Sequence, residues 1–289
     1  MNKFSFGSLL FLSLLGLLAC EEEGPYINFN PEITDTSLID TTYISDMSVT
    51  PQQRSVLIED FTGVRCPNCP NASIKLHEID SAYNGRLVAV AIHMFDNNFA
   101  YPHVLTIDYR TTEGTSIFTL LGSGNLPVGG INRKKYPSET NILVRTDKWL
   151  TYFVDNLSET PYCNITLTSR KDSIDTNAYI IKVMIQYTSN VLATNYITLG
   201  IKESGMISPQ TLPNGTVDSQ YIHKNVLRKI LTNAGGTLLF ENPEENRVIL
   251  KEYKIKLQND WNAENCKIFC FVHRNDTEYT VIQADEIKL

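Results

Sequence analysis

Apolar and polar residues recur along this chain with two different periods. In residues 55–61 (SVLIEDF), Val56, Ile58 and Asp60 point one way and Leu57, Glu59 and Phe61 the other. Both faces are largely apolar, as a central strand requires. Thr62-Gly63 ends the run. From Pro67 the spacing becomes helical, with Ile74, Ile79 and Tyr83 near one stripe and Leu76 beside it, until Asn84-Gly85 stops it. Residues 86–93 (RLVAVAIH) are a nearly continuous apolar strand. Strand, helix and strand of these lengths predict a βαβ unit with parallel pairing. An aromatic-rich stretch follows (Phe95, Phe99, Tyr101, Tyr109), then a short helix at 115–121 and the glycine-rich run 122–133, GSGNLPVGGINR. Pro127, at the head of a strand after that loop, is a candidate cis-proline. Residues 148–159 place Trp149, Leu150, Phe153, Val154 and Leu157 on one helical face.

After Pro161 the period becomes two. Cys163, Ile165 and Leu167 share a face, followed by Ile181, Val183, Ile185 and Tyr187, and then by Ile197, Leu199 and Ile201. Tyr253, Ile255 and Leu257, then Cys266, Ile268, Cys270 and Val272, and a last run around Val281 complete at least six strands. Little helix among so many strands predicts an antiparallel, immunoglobulin-like β-sandwich. The connection 206–246 contains YIHKNVLRKIL (221–231), which reads as a short amphipathic helix. The expected fold is thus an α/β domain over 55–160 followed by an all-β sandwich over 161–289. Residues 20–54 read as a linker with one short strand at 38–44.

The N-terminus alters this picture. Lys3 precedes an apolar stretch ending in Leu17-Leu18-Ala19-Cys20, too short and too terminal for a membrane span. It resembles a bacterial lipoprotein signal, which implies removal of residues 1–19 and acylation of Cys20. The chain is then exported, disulfides are permitted, and the membrane is held through lipid on Cys20. Glu21-Glu22-Glu23 resembles the acidic signals that send Bacteroidetes lipoproteins to the cell surface; it also suits a solvated linker. Of 289 residues, 42% are hydrophobic and 20% charged, a globular composition, and the net charge of -7 argues against nucleic acid as a partner.

Cys66-Pro67-Asn68-Cys69 stands between a buried strand and a helix. A thiolate at a helix N-terminus sits among unpaired N–H groups at the positive end of the dipole, which lowers its pKa. The spacing lets Cys69 resolve a mixed disulfide formed on Cys66, so Cys66 is expected to be the exposed nucleophile. Two other uses of the motif exist. One is half of a zinc site completed by His77, His93 or His103, which the lack of a second CxxC and the export signal disfavour. The other is a Cys66–Cys69 disulfide that never turns over. No metal or cofactor is expected. Cys266 and Cys270 would lie about 13 Å apart on one strand, too far to bridge. Cys163 therefore bonds one of them, or all three are buried thiols, the option that good packing of free cysteine favours. The clusters Arg133-Lys134-Lys135 and His223-Lys224/Arg228-Lys229 read as solvated surface.

The order strand–CxxC–helix, Pro127, and Asp60 six positions before Cys66 together resemble thioredoxin-fold oxidoreductases. The resemblance implies a thioredoxin-like first domain, Asp60 as proton acceptor for Cys69, and Leu126-Pro127 as a backbone edge facing the disulfide. Arg65 stands where thioredoxins have tryptophan, and Pro-Asn matches neither of the familiar inter-cysteine dipeptides. More specifically, VLIEDFTGVRCPNCP, GNLPVGGINR, YIHKNVLRKIL and VIQADEIKL are similar to the outer membrane protein 28 family of Bacteroidetes lipoproteins. That likeness spans roughly residues 50–289 and implies an outer membrane lipoprotein. Two functions fit: a membrane-anchored thiol–disulfide oxidoreductase acting on protein thiols, or a surface adhesin or binding protein whose CxxC is a structural disulfide.

Overall fold

The computed structural model describes residues 38–274 and 279–289; the expected signal peptide, Cys20 and the first part of the linker lie outside them. Residues 38–289 belong to one compact unit. An edge strand, β1 (Asp40–Ile44), precedes β2 (Val56–Phe61), α1 (Cys69–Tyr83) and β3 (Leu87–Ile92). Then come α2 (Thr112–Leu121), β4 (Val128–Ile131), β5 (Leu143–Arg145) and α3 (Trp149–Leu157). Three long strands follow: β6 (Cys163–Lys171), β7 (Ala178–Tyr187) and β8 (Thr194–Glu203). The connection beyond them holds β9 (Met206–Ile207), β10 (Gln210–Thr211), β11 (Val217–Asp218), β12 (Ile222–His223), β13 (Val226–Ile230) and β14 (Thr237–Glu241). The chain closes with β15 (Arg247–Lys256), β16 (Cys266–Arg274) and β17 (Val281–Lys288).

β2, α1 and β3 form the expected parallel unit, with Val56 beside Leu87 and Phe61 beside Ile92. All six residues of β2 and of β3 are buried. The helix buries Ala72, Leu76 and Ile79 and leaves Ile74 exposed, so its buried stripe lies to one side of the expected one. α3 likewise buries Trp149, Tyr152, Phe153 and Asn156, while Leu150 and Val154 face solvent.

The expectation of a thioredoxin-like α/β domain followed by an immunoglobulin-like sandwich is overturned. The molecule is mostly strand, with seventeen strands and three α-helices among the described residues. The strands of the first half do not close a sheet of their own. β13, from the second half, runs parallel to β3 and antiparallel to β8. One nine-stranded sheet therefore crosses both halves in the order β17-β16-β8-β13-β3-β2-β4-β5, with β14 also on β8. Alternation identifies a strand and its faces but does not name its neighbour, which is why the sequence pattern suggested two separate cores. The segment read as a helix at 221–231 is β12 and β13. Val226, Leu227 and Ile230 match a helical stripe, yet Val226 and Leu227 are buried in the sheet.

Three cores result. Ile165, Ile181 and Ile185 of the four-stranded sheet β1-β15-β7-β6 pack on Leu199 and Ile268 of the large sheet. Cys163, Cys266 and Cys270 are free, buried thiols in this layer. Leu57, Val88 and Val90 pack with α2 and with Phe269 and Phe271. Val56, Ile58 and Ala89 pack under α1 and α3. The chain ends are tied to the first half: the Arg54 guanidinium donates to the carbonyls of Val281 and Ile282, and the Ser55 N–H donates to Gln283 at 3.1 Å.

The basic run at 133 departs from its solvated reading. Arg133 is wholly buried and grips Glu59 of β2 with two bonds of 2.6 and 2.8 Å, its guanidinium 4.8 Å from the Phe271 ring. The neighbouring Asn132 accepts the Leu57 N–H at 2.9 Å and offers its carbonyl to Val281 N–H at 2.8 Å. The GGINR stretch is a structural joint. Its residues Asn132 and Arg133 take left-handed backbone angles, φ 48° and 51°, to make these bonds.

Candidate functional site

β2 ends at Phe61, and the turn 63–68 leads into α1. Gly63 is required there: a Cβ would lie 2.3 Å from the Phe99 carbonyl oxygen. Cys66 N–H closes on the Gly63 carbonyl at 3.0 Å, and Cys69 N–H on the Cys66 carbonyl at 3.3 Å. Cys69 is the first residue of α1, followed by Pro70, so its sulfur belongs to the turn where helix N–H groups lack partners. Cys66 and Cys69 form a disulfide with Cα atoms 5.4 Å apart. Cys66, expected to be exposed, is 1% exposed, and Cys69 is 3% exposed.

Two distant segments bury the turn. The loop after β3 receives the Arg65 N–H on the Phe99 carbonyl at 2.8 Å and the Arg65 guanidinium on the Pro102 carbonyl at 2.6 Å. That side chain is thereby directed at the loop. The His103 ring bonds the Val64 carbonyl at 3.2 Å. From the other side, the Gln210 amide donates to the Cys66 carbonyl at 3.1 Å and to the Gly63 carbonyl at 3.3 Å. Thr211 N–H donates to the Val64 carbonyl at 2.8 Å. Nothing in the sequence marked Gln210 or Thr211, since a lone glutamine in a long connection carries no periodic signal.

Asp60, one residue before the end of β2, is buried, and its Oδ1 has no hydrogen-bond partner. Burial alone pushes its carboxyl up to about 8, because an ionised carboxylate would lose its water there without gaining a cation. His93, just beyond β3, is also buried with Nδ1 unpartnered; burial, and secondarily His223, lower it to about 3. His223 is lowered to about 4 by burial. These rings run in a series: His93 to Tyr109 at 5.4 Å, Tyr109 to His223 at 4.9 Å, and His223 to Tyr221 at 4.9 Å.

Asp60, Cys69, Ser73 and His93 border one cavity of about 310 Å³. Cys66 is not among its lining residues. The far wall comes from the second half, with Tyr221, His223 and Lys224 on one side and Lys202, Lys267 and Glu286 on another. Lys202 is buried, donates to the Ala89 carbonyl at 2.6 Å and pairs with Glu286 at 2.5 Å; Lys267 meets the other oxygen of Glu286 at 2.6 Å. Leu126-Pro127 is a cis bond, and Val128, the next residue, pairs with Phe61. Pro127 thus enters at the same end of β2 as the disulfide turn. In this arrangement the disulfide, a buried neutral acid and a cavity walled by both halves of the chain share one end of a parallel strand pair. Such a set can move a proton to or from a sulfur that has been cleaved from its partner.

No curated protein sequence matches the chain. Among solved structures, HBP35 of Porphyromonas gingivalis superposes with a TM-score of 0.64 at 18% identity, over 84% of this chain and 77% of that one. A protein of Agrobacterium tumefaciens does so with a TM-score of 0.51 at 11% identity, over 82% of this chain and 96% of that one. At such identities the likeness is one of fold. A domain of the outer membrane lipoprotein Omp28 from Porphyromonas gingivalis gives a TM-score of 0.30 at 18% identity, over 45% of this chain and 88% of that one. Residues 115–289 match the family model of outer membrane protein Omp28, a stretch that begins after the disulfide turn. With more than half of its length matched, the chain belongs to the outer membrane protein Omp28 family, and its location is the outer membrane.

Proposed function

We propose that this outer membrane protein is a thiol–disulfide oxidoreductase whose redox couple is Cys66–Cys69. Asp60 exchanges a proton with Cys69, and Pro127 shapes the edge beside the turn. Lipid on Cys20 ties the chain to the membrane. The observation that carries this reading is the buried Asp60 carboxyl, without a partner on Oδ1, bordering the same cavity as Cys69. A purely structural disulfide has no use for an acid kept neutral beside it, and such groups concentrate at sites of proton transfer.

The burial of both cysteines favours a second reading. In it the disulfide is a static staple and the protein binds a surface ligand. The exposed Phe99, Tyr101, Val104 and Leu105 beside the turn would then make contacts. Equilibration of the full-length protein in a glutathione series separates the two, with an insulin-reduction assay and Cys66→Ser as control. An oxidoreductase gives a potential within the range of exchanging couples and turnover that Cys66→Ser abolishes. A potential well below about -300 mV without turnover would refute the enzymatic reading.

A further inference from the structure

Resting on the exchange reading, the packing around the disulfide restricts what it can exchange with. A protein substrate needs an exposed sulfur and free backbone groups beside it on which an extended segment can lie. Here neither is offered. Cys66 is 1% exposed, and the carbonyls of Gly63, Val64 and Cys66 already accept from Gln210 and Thr211. The opening lies on the other side. The cavity of about 310 Å³ reaches Cys69 and Asp60, and its size is at the lower end of small-molecule sites.

Its lining also selects for charge. The cations Lys202 and Lys267 share the single carboxylate of Glu286, so that wall stays net positive and favours an entering carboxylate. Lys224 and Asp80, both exposed lining residues, form no salt bridge among the described residues. They offer one positive and one negative group. We propose that the couple exchanges with a small zwitterionic thiol, of the amino-acid or short-peptide type, which enters this cavity and meets the sulfur of Cys69. Its carboxylate faces Lys224 and its ammonium faces Asp80.

In the reducing direction the small thiol enters as its thiolate, its proton released to solvent, and its sulfur bonds to Cys69 while Asp60 keeps its own proton. The Cys66–Cys69 bond breaks, and Cys66 leaves as a thiolate that takes up a proton from solvent. A second small thiol then attacks the mixed disulfide and departs as the oxidised small disulfide, leaving Cys69 as a thiol. Two electrons pass to the protein, and the protons balance: two small thiols become one small disulfide while two protein thiols form. The oxidising direction is the reverse.

The test uses the full-length protein in detergent. Free cysteine should reduce the bond at least about tenfold faster per thiol than a reduced, unfolded protein thiol of matched pKa, matching being needed because nucleophilicity follows pKa. With cystine, Cys66→Ser should accumulate a cysteinyl adduct on Cys69, read by mass, while Cys69→Ser should leave Cys66 unlabelled. Lys224→Glu should slow reduction by cysteine roughly fivefold and leave reduction by uncharged mercaptoethanol unchanged, the size expected of one reversed rim charge. Protein thiols reacting as fast as cysteine, or Cys66 as the labelled residue, would overturn the proposal. An unchanged rate in Lys224→Glu would overturn the zwitterion assignment. If no thiol of any size reduces the bond in the folded protein, the exchange reading fails with it.

Discussion

Replacing Asp60 by asparagine should stabilise the protein increasingly as pH rises. Asparagine keeps the shape of the side chain and cannot ionise. In the wild type, burial lifts the Asp60 carboxyl from its ordinary value near 4 to about 8. Between these values the folded protein keeps the proton and the unfolded chain releases it. The folded state therefore binds more protons there, and linkage makes its stability fall as pH rises through that window. Each pH unit costs about 1.4 kcal/mol, so the loss approaches about 4 kcal/mol at pH 7 and levels off above pH 8. The variant carries no such loss. His93 and His223 add an opposite trend, since both are neutral when folded and protonate when unfolded below about pH 6.5. That trend is common to both proteins and cancels in their difference.

Urea unfolding of both proteins from about pH 5 to about pH 8 measures the difference directly. The stability of Asp60→Asn minus that of the wild type should climb at about 1.4 kcal/mol per pH unit. A difference that stays flat would refute the argument. It would mean that the Asp60 carboxylate is ionised in the folded protein and solvated by water in the cavity. The experiment does not depend on any enzymatic assay, so it tests the electrostatics of the site apart from its function.

Three further outcomes follow from the same contacts. Gln210→Ala removes the amide that serves the Gly63 and Cys66 carbonyls; it should cost about 1–2 kcal/mol in urea unfolding and speed the loss of the disulfide to added thiol. Arg133→Met leaves the Glu59 carboxylate buried without its cation; it should destabilise by about 3–5 kcal/mol, and Glu59→Gln added to it should recover part of that loss. Gly63→Ala places a methyl group against the Phe99 carbonyl; it should cost at least about 2 kcal/mol and loosen the 97–103 loop, read as faster amide exchange there.

The pieces legible in the sequence were those whose signal is local. The strand at 56–61, the following helix and the strand at 87–92 appear where periodicity placed them, because each buries its own apolar face against the other two. The disulfide and the cis bond before Pro127 also stand where the motifs put them. What periodicity could not carry was partnership between distant strands. Val226 is an apolar residue in a mixed stretch until it lies beside Ala91 of β3, which joins the two halves into one sheet. The same holds for Arg133: three basic residues in a row suggest solvent, and only the position of Glu59 across β2 shows that the first is buried. Gln210 was invisible for a similar reason, as its role exists only where the turn at 63–66 is folded beneath it.

This dependence on distant partners changes how the disulfide turn should be understood. Taken alone, the first residue of a helix is a place where a thiolate is favoured by unpaired N–H groups. In the folded chain Cys69 borders a cavity that also holds Asp60, whose carboxyl burial pushes up to about 8, so the acid sharing that cavity is neutral near physiological pH and not a second anion. The arrangement depends on segments more than a hundred residues apart in sequence: β2 and α1 supply the two acids, while Tyr221, His223 and Lys202 wall the cavity and Gln210 and Thr211 clamp the turn beside it.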